Sequence, residues 1–191
     1  DASTIPAANH SWTWYNLPKV NPDTGLDYVY TVEELIQPTT TGGVTADGDA
    51  ATAFTKSIAG DQSTGFTITN TQILTSLSGT KSWKVGTQTY ASPLIKPAVT
   101  ITLLRGGNPL SPTRTATLGV DSSTQTYQFD NLPKFNALTG AQYVYTVVES
   151  TLTGFTPAYP TGTLNIVNNQ NLIDLTVTKH WTDNGADADA T

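Results

Sequence analysis

The chain contains neither cysteine nor methionine among its 191 residues. Without cysteine there is no disulfide framework and no thiolate zinc site. Basic residues are few: nine Lys and Arg stand against fifteen Asp and Glu, a formal net charge of −6, with a pI near 4.6. Nucleic acids and anionic membranes are bound first through clustered Lys and Arg, so neither is an expected partner. There is no run of about 18 apolar residues, and no membrane insertion is expected in this segment. No signal peptide, sorting motif or lipidation signal is visible. Ser-His-Asp arrangements, phosphate loops and nucleotide fingerprints are missing too, so neither turnover chemistry nor a cofactor is expected. His10 and His180 are far apart in sequence and lack metal-ligand spacing. TDNGADADA at 182–190 has the composition of a calcium loop, with Asp183, Asp187 and Asp189. It lacks the closing glutamate and reads as a solvated loop, as do Asp47 and Asp49 in TADGDA. No metal site is assigned.

Helical periodicity is nearly absent, and alternation takes its place. Tyr28-Val29-Tyr30-Thr31-Val32, Gly65-Phe66-Thr67-Ile68-Thr69, Val99–Leu104, Tyr143–Val148 and Leu175-Thr176-Val177-Thr178-Lys179 all alternate between apolar and polar residues. Runs of this kind, bounded by Gly, Pro, Asn and Asp, read as half-buried strands. Only 13% of residues are charged, which argues against a disordered polyelectrolyte. The expected class is all-β, a sandwich.

The chain repeats itself. NLPKVNPDTGLDYVYTVEEL at 16–35 returns as NLPKFNALTGAQYVYTVVES at 131–150, with 13 of 20 positions identical and an offset of 115. TKSW at 80–83 and TKHW at 178–181 are 98 apart, as are FTITN at 66–70 and LNIVN at 164–168. The difference of 17 places an insertion between Glu34 and Asn70, in the stretch PTTTGGVTADGDAATAF. Its simplest form is an enlarged surface loop at about 36–60. The repeats predict a complete unit over 73–170, the back part of a preceding unit over 1–72, and the first strand of a following unit over 171–191. Equivalents of 94–115 fall between the two partial units, as though the chain were a piece of a tandem array. Trp14 corresponds to Phe129 and is expected in the core.

Residues two apart on a strand share a face. Tyr145, Val147 and Glu149 therefore fall on one face, as do Leu164, Ile166 and Asn168, and Leu77, Gly79, Lys81 and Trp83. Each apolar stripe ends in one polar residue, and the partial units follow suit with Glu34, Asn70 and Lys179. Unpaired charge in a core is costly, so a Lys, a Glu and an Asn facing inward need a common explanation. A buried ion pair beside an amide is the bland one.

Together T-K-x-W, N-L-P-K-x-N, Y-x-Y-T-V-x-E and I-T-N resemble the Cna B-type repeat of Gram-positive surface proteins. The resemblance covers 73–170 and both partial units. It implies tandem immunoglobulin-like sandwiches (reverse Ig, Cna B-type) that build the stalks of adhesins and pilins. It also implies an intramolecular isopeptide bond between Lys81 and Asn168, promoted by Glu149. In the partial units the same roles fall to Glu34 and Asn70, and to Lys179. The implied partners are neighbouring repeats of the same protein, and the implied location is extracellular, on a cell-wall-anchored protein of a Gram-positive bacterium. The alternative, from another class, is a ligand-binding adhesin module recognising a host extracellular-matrix protein or a glycan through the enlarged loop or the Trp12 region.

Overall fold

The computed structural model describes residues 10–37, 39–41, 44–86, 88–89, 96–120 and 124–180. The first part of the chain forms two hairpins. β1 (Thr39–Thr41) pairs with β2 (Val44–Ala46), and β3 (Phe54–Asp61) pairs antiparallel with β4 (Gly65–Gln72). A 3-10 helix over Asp49–Ala53 separates them. The enlarged loop thus has secondary structure of its own.

A single residue, Ile73, joins β4 to β5 (Leu74–Val85), the longest strand. From there the chain builds two facing sheets. The remaining strands are β6 (Gln88–Thr89), β7 (Val99–Arg105), β8 (Asn108–Pro109), β9 (Thr115–Leu118), β10 (Thr124–Pro133), β11 (Tyr145–Glu149), β12 (Phe155–Ala158) and β13 (Ile166–Gln170). One sheet runs β10-β5-β13-β12, with β6 also on β5. The other runs β11-β7-β8, with β9 also on β7. Antiparallel pairing dominates, but β13 lies parallel to β5. Alternation explains the core: Ile101 and Leu103 of β7, Tyr127 and Phe129 of β10, Val147 of β11 and Ile166 of β13 all point between the sheets, with Trp83 of β5. The architecture is an all-β, immunoglobulin-like sandwich.

The repeated phrase makes the same local structure twice. Asn16 and Asn131 both take a left-handed conformation, φ 58° and 55°, which asparagine tolerates better than most residues. In the second copy this residue lies in a bulge of β10, where pairing with β5 shifts between Phe129 and Leu132. Asn21 Oδ1 accepts from the amides of Asp23 and Thr24, and Asn136 Oδ1 from those of Leu138 and Thr139. Tyr30 donates to the carbonyl of Pro18 at 2.6 Å, and Tyr145 to that of Pro133 at 2.7 Å. These contacts span few residues and form in either copy.

Strand formation after the phrase differs. Tyr145–Glu149 pairs with β7, whereas 28–34 pairs with no strand among the described residues. The expected strand at 175–179 does not form either, and its residues are exposed. Trp14 is 68% exposed where Phe129 is 3% exposed, which corrects its expected place in the core. Phe129 is covered because β5 and the facing sheet enclose it, and no strand pairs beside Trp14 among the described residues. Alternation specifies a face, and a neighbour must supply the pairing.

Two substitutions measure that contrast. Leu103→Ala opens a cavity in the closed core and should destabilise the sandwich by ~2–5 kcal/mol. Val29→Ala, on an exposed side chain, should stay within about 0.5 kcal/mol. Urea-unfolding midpoints would give both values.

Candidate functional site: a buried lysine, glutamate and asparagine

The parallel register sets Ile166 beside Lys81 and Asn168 beside Trp83. Lys81 and Asn168 therefore point to the same side of one sheet from adjacent strands. Glu149, the last residue of β11, reaches them from the opposite sheet. Lys81 and Asn168 are wholly buried and Glu149 is 8% exposed. Lys81 Nζ lies 3.4 Å from Glu149 Oε2, and Asn168 Nδ2 donates to Glu149 Oε1 at 2.6 Å. The structure brings together the three residues that the alternation singled out.

The surroundings are largely apolar. Lys81 Nζ stands 4.1 Å from the centre of the Trp83 ring and donates to the Ser82 carbonyl at 3.2 Å. Phe155 meets Trp83 edge to face at 5.0 Å. Burial pulls the Lys81 amine down to about 8, against a weaker opposing pull from the Glu149 carboxylate. The amine is thus shifted toward its neutral, nucleophilic form. Tyr127 goes the other way: burial, with Tyr159 and Glu149 nearby, pushes its hydroxyl up to about 12. It remains a neutral donor, bonded to the Leu164 carbonyl. Asn168 Oδ1 and Glu149 Oε2 are buried without hydrogen-bond partners.

Phe155 and Tyr159 were not legible in the sequence. They lie in GFTPAYP, which has no clear alternation. Yet Phe155 closes the aromatic wall, and the Tyr159 hydroxyl accepts from the Glu149 amide at 3.1 Å. Lys56 was also missed. It lies opposite Asn70 in the β3–β4 register, donates to the Glu34 backbone carbonyl at 2.5 Å and pairs with Asp47 at 3.3 Å.

In the first part of the chain Asn70 Nδ2 donates to Glu34 Oε2 at 2.7 Å. This repeats the acid–amide contact of Asn168 and Glu149, but Asn70 is exposed and Glu34 half-buried. Lys179 is exposed and lies in the 171–180 segment, which forms no strand. Asp47 accepts from the Ile36 amide at 2.6 Å, a bond that holds its carboxyl below the usual range. Asp183, Asp187 and Asp189 lie outside the described residues, among which no cluster suited to a metal ion occurs.

Comparison with known proteins places this geometry in a class. Residues 77–169 match the family model of the Cna protein B-type domain. The match encloses Lys81, Glu149 and Asn168, and just under half of the chain reads as a Cna B-type domain. Among solved structures, the chain is similar to two B repeat units of the collagen-binding protein Cna of Staphylococcus aureus: 23% identity, 82% of this chain and 36% of that one, TM-score 0.40. A single B repeat unit of the same protein gives 22% identity, 63% and 61% coverage and a TM-score of 0.38. The pilus adhesin SpaC from Lactobacillus rhamnosus GG gives 16% identity, 69% and 14% coverage and a TM-score of 0.33. The chain thus spans about a third of the first of these structures and three-fifths of the second. No curated protein sequence matches it.

The displaced lysine has a pH signature. In an Asn168→Ala variant Lys81 must remain a free amine. Its folded-state value, about 8, lies below its ordinary 10.5. The unfolded chain therefore binds more protons between those values, so stability should rise with pH across about 8 to 10.5. Below that window the lysine is protonated in both states and its contribution is flat. The rise should vanish in Asn168→Ala/Lys81→Met, measured by urea unfolding at each pH. Titration of Tyr127 affects both variants alike.

Proposed function

We propose that this chain is a stalk or spacer segment of a cell-surface adhesin or pilus-like fibre, built from tandem Cna B-type units and locked by autocatalytic Lys–Asn isopeptide bonds. The complete unit is 73–170, with partial units at 1–72 and 171–191. The observation that carries this reading is the burial of Lys81 on the first strand and Asn168 on the last strand of one sandwich, both in contact with the buried Glu149. The site's only chemistry is one self-reaction, and the protein is a structural element rather than a turnover enzyme. Its location is extracellular, on a wall-anchored protein of a Gram-positive bacterium.

Transfer of one proton within the Lys81–Glu149 pair leaves a neutral amine beside a carboxylic acid, and burial of Lys81 favours the neutral amine. A half-turn of the Asn168 amide exchanges Nδ2 with Oδ1 and gives the carbonyl oxygen the Glu149 proton as a hydrogen-bond donor. Lys81 Nζ then attacks the Asn168 carbonyl carbon, forming the new C–N bond. Glu149 takes the proton that the attacking amine sheds and passes one to the departing nitrogen. The old C–N bond breaks and ammonia leaves. Amine and primary amide become secondary amide and ammonia, and Glu149 ends as it began. The bond closes a loop of nearly the whole unit, worth roughly 4–5 kcal/mol by the chain-entropy treatment of cross-links. Under tension it also ties the first strand to the last.

A ligand-binding module is the second reading, and the exposed Trp12, Trp14 and Tyr15 bear on it. Trp12 and Trp14 stand 115 residues before Tyr127 and Phe129, both core residues of the sandwich. Their exposure is that of core positions without a covering strand, which favours the spacer over a sugar-stacking platform. Titration with host glycans or matrix proteins while following tryptophan fluorescence separates the two, since a spacer gives no saturable change.

Intact mass tests the lock. The purified chain should be lighter than its sequence by one ammonia, and the full mass should return in Glu149→Gln, Lys81→Met and Asn168→Ala. A full mass for the unmodified chain would remove the lock and leave an uncross-linked sandwich.

A further inference from the structure

The two copies of the Asn-x-x-Thr-Gly turn have nearly the same internal geometry, yet one is covered and the other is bare. Gly25 and Gly140 are equivalent, with φ of 72° and 68°. A methyl group on Gly25 would meet nothing within 4 Å, whereas on Gly140 it would overlap the backbone oxygen of Asp49. Ala137 is buried and its counterpart Pro22 is exposed. What covers the second turn is the 3-10 helix Asp49–Ala53, part of the insertion that only the first unit carries. Thr52 Oγ1 donates to the Gly140 carbonyl at 3.0 Å, across 88 residues of sequence, and Ala50 and Ala53 are buried.

The linker is fastened from both sides. The Ile73 amide donates to the Ala53 carbonyl at 2.9 Å, and the Ile73 carbonyl accepts from the Lys134 amide at 3.0 Å. The only residue between β4 and β5 is thereby tied to the insertion and to the repeated phrase of the next unit. A one-residue linker held by both neighbours has little freedom left to bend.

We propose that the insertion is a joint-locking strut: the Asn136–Gly140 turn is a docking surface for the preceding unit's 3-10 helix, and this contact fixes the angle between successive units. The surface takes a small, uncharged Ala/Thr face because Gly140 leaves no room for a larger one. An enlarged loop of this kind is then an internal fastening and not a contact for an outside ligand. The inference rests on the tandem arrangement proposed above but not on the isopeptide bond, and loss of the bond would leave it standing.

Gly25 supplies the control. Gly25→Ala and Gly140→Ala impose the same left-handed strain on equivalent turns, but only the second strikes the strut. Ala50→Glu attacks the contact from the other side and leaves the sandwich sequence intact. Hydrogen–deuterium exchange on the full chain should show protection of 48–54 and of Ile73 falling by about tenfold in Gly140→Ala and Ala50→Glu, the loss of roughly one net hydrogen bond. Small-angle X-ray scattering should show a broader distribution of distances in both. Gly25→Ala should match the unmodified chain in both measurements. Equal behaviour of the two glycine variants, or unchanged protection in Ala50→Glu, would overturn the strut. Intact mass on the same samples reports the isopeptide bond separately, so the two proposals fail independently.

Discussion

The parallel pairing of β5 with β13 is the constraint on which the site depends. It joins the first and last strands of the sandwich and sets the register in which Lys81 and Asn168 face the same side. A slip of one residue would turn one of them to the opposite face. Parallel strands cannot be joined by a tight turn, and here the whole of the intervening unit forms the connection. The site therefore depends on the closed sandwich, which supplies both the register and the burial. That dependence suits the proposed self-reaction, which needs a desolvated Lys81.

The acid–amide contact is not sufficient by itself. Glu34 and Asn70 make it at nearly the same distance as Glu149 and Asn168. What differs is solvent: Asn70 is exposed and Asn168 is wholly buried. The nearby cation in the first part of the chain, Lys56, is engaged by a backbone carbonyl and by Asp47. Burial thus separates the two acid–amide contacts, one enclosed in the sandwich and the other open to solvent.

The same logic of tying ends together recurs at the junction. Within the sandwich the proposed bond would join first strand to last, while between units Ile73 is held by Ala53 on one side and Lys134 on the other. In the proposed stalk, force would pass through such joints, and a fastened one-residue linker and a locked domain would serve one mechanical end. Repeats that touch only their neighbours gain rigidity from those contacts alone.

Alternation along the sequence determined the all-β class, and the repeat exposed Lys81, Glu149 and Asn168 as polar residues on apolar faces. The local geometry of the repeated phrase is the same in both copies: a left-handed asparagine, an asparagine-capped turn and a tyrosine bonded back twelve residues. Such features close over short spans and need no distant partner. Tertiary structure alone decided which alternating segments became strands, why Trp14 is bare where Phe129 is enclosed, that Phe155 and Tyr159 border the site, and that the Asp49–Ala53 helix lies against the Asn136–Gly140 turn. Each of these turns on what lies beside a residue in space. A face specified by alternation becomes a core, and a lysine a candidate nucleophile, only when a neighbouring strand arrives to exclude water.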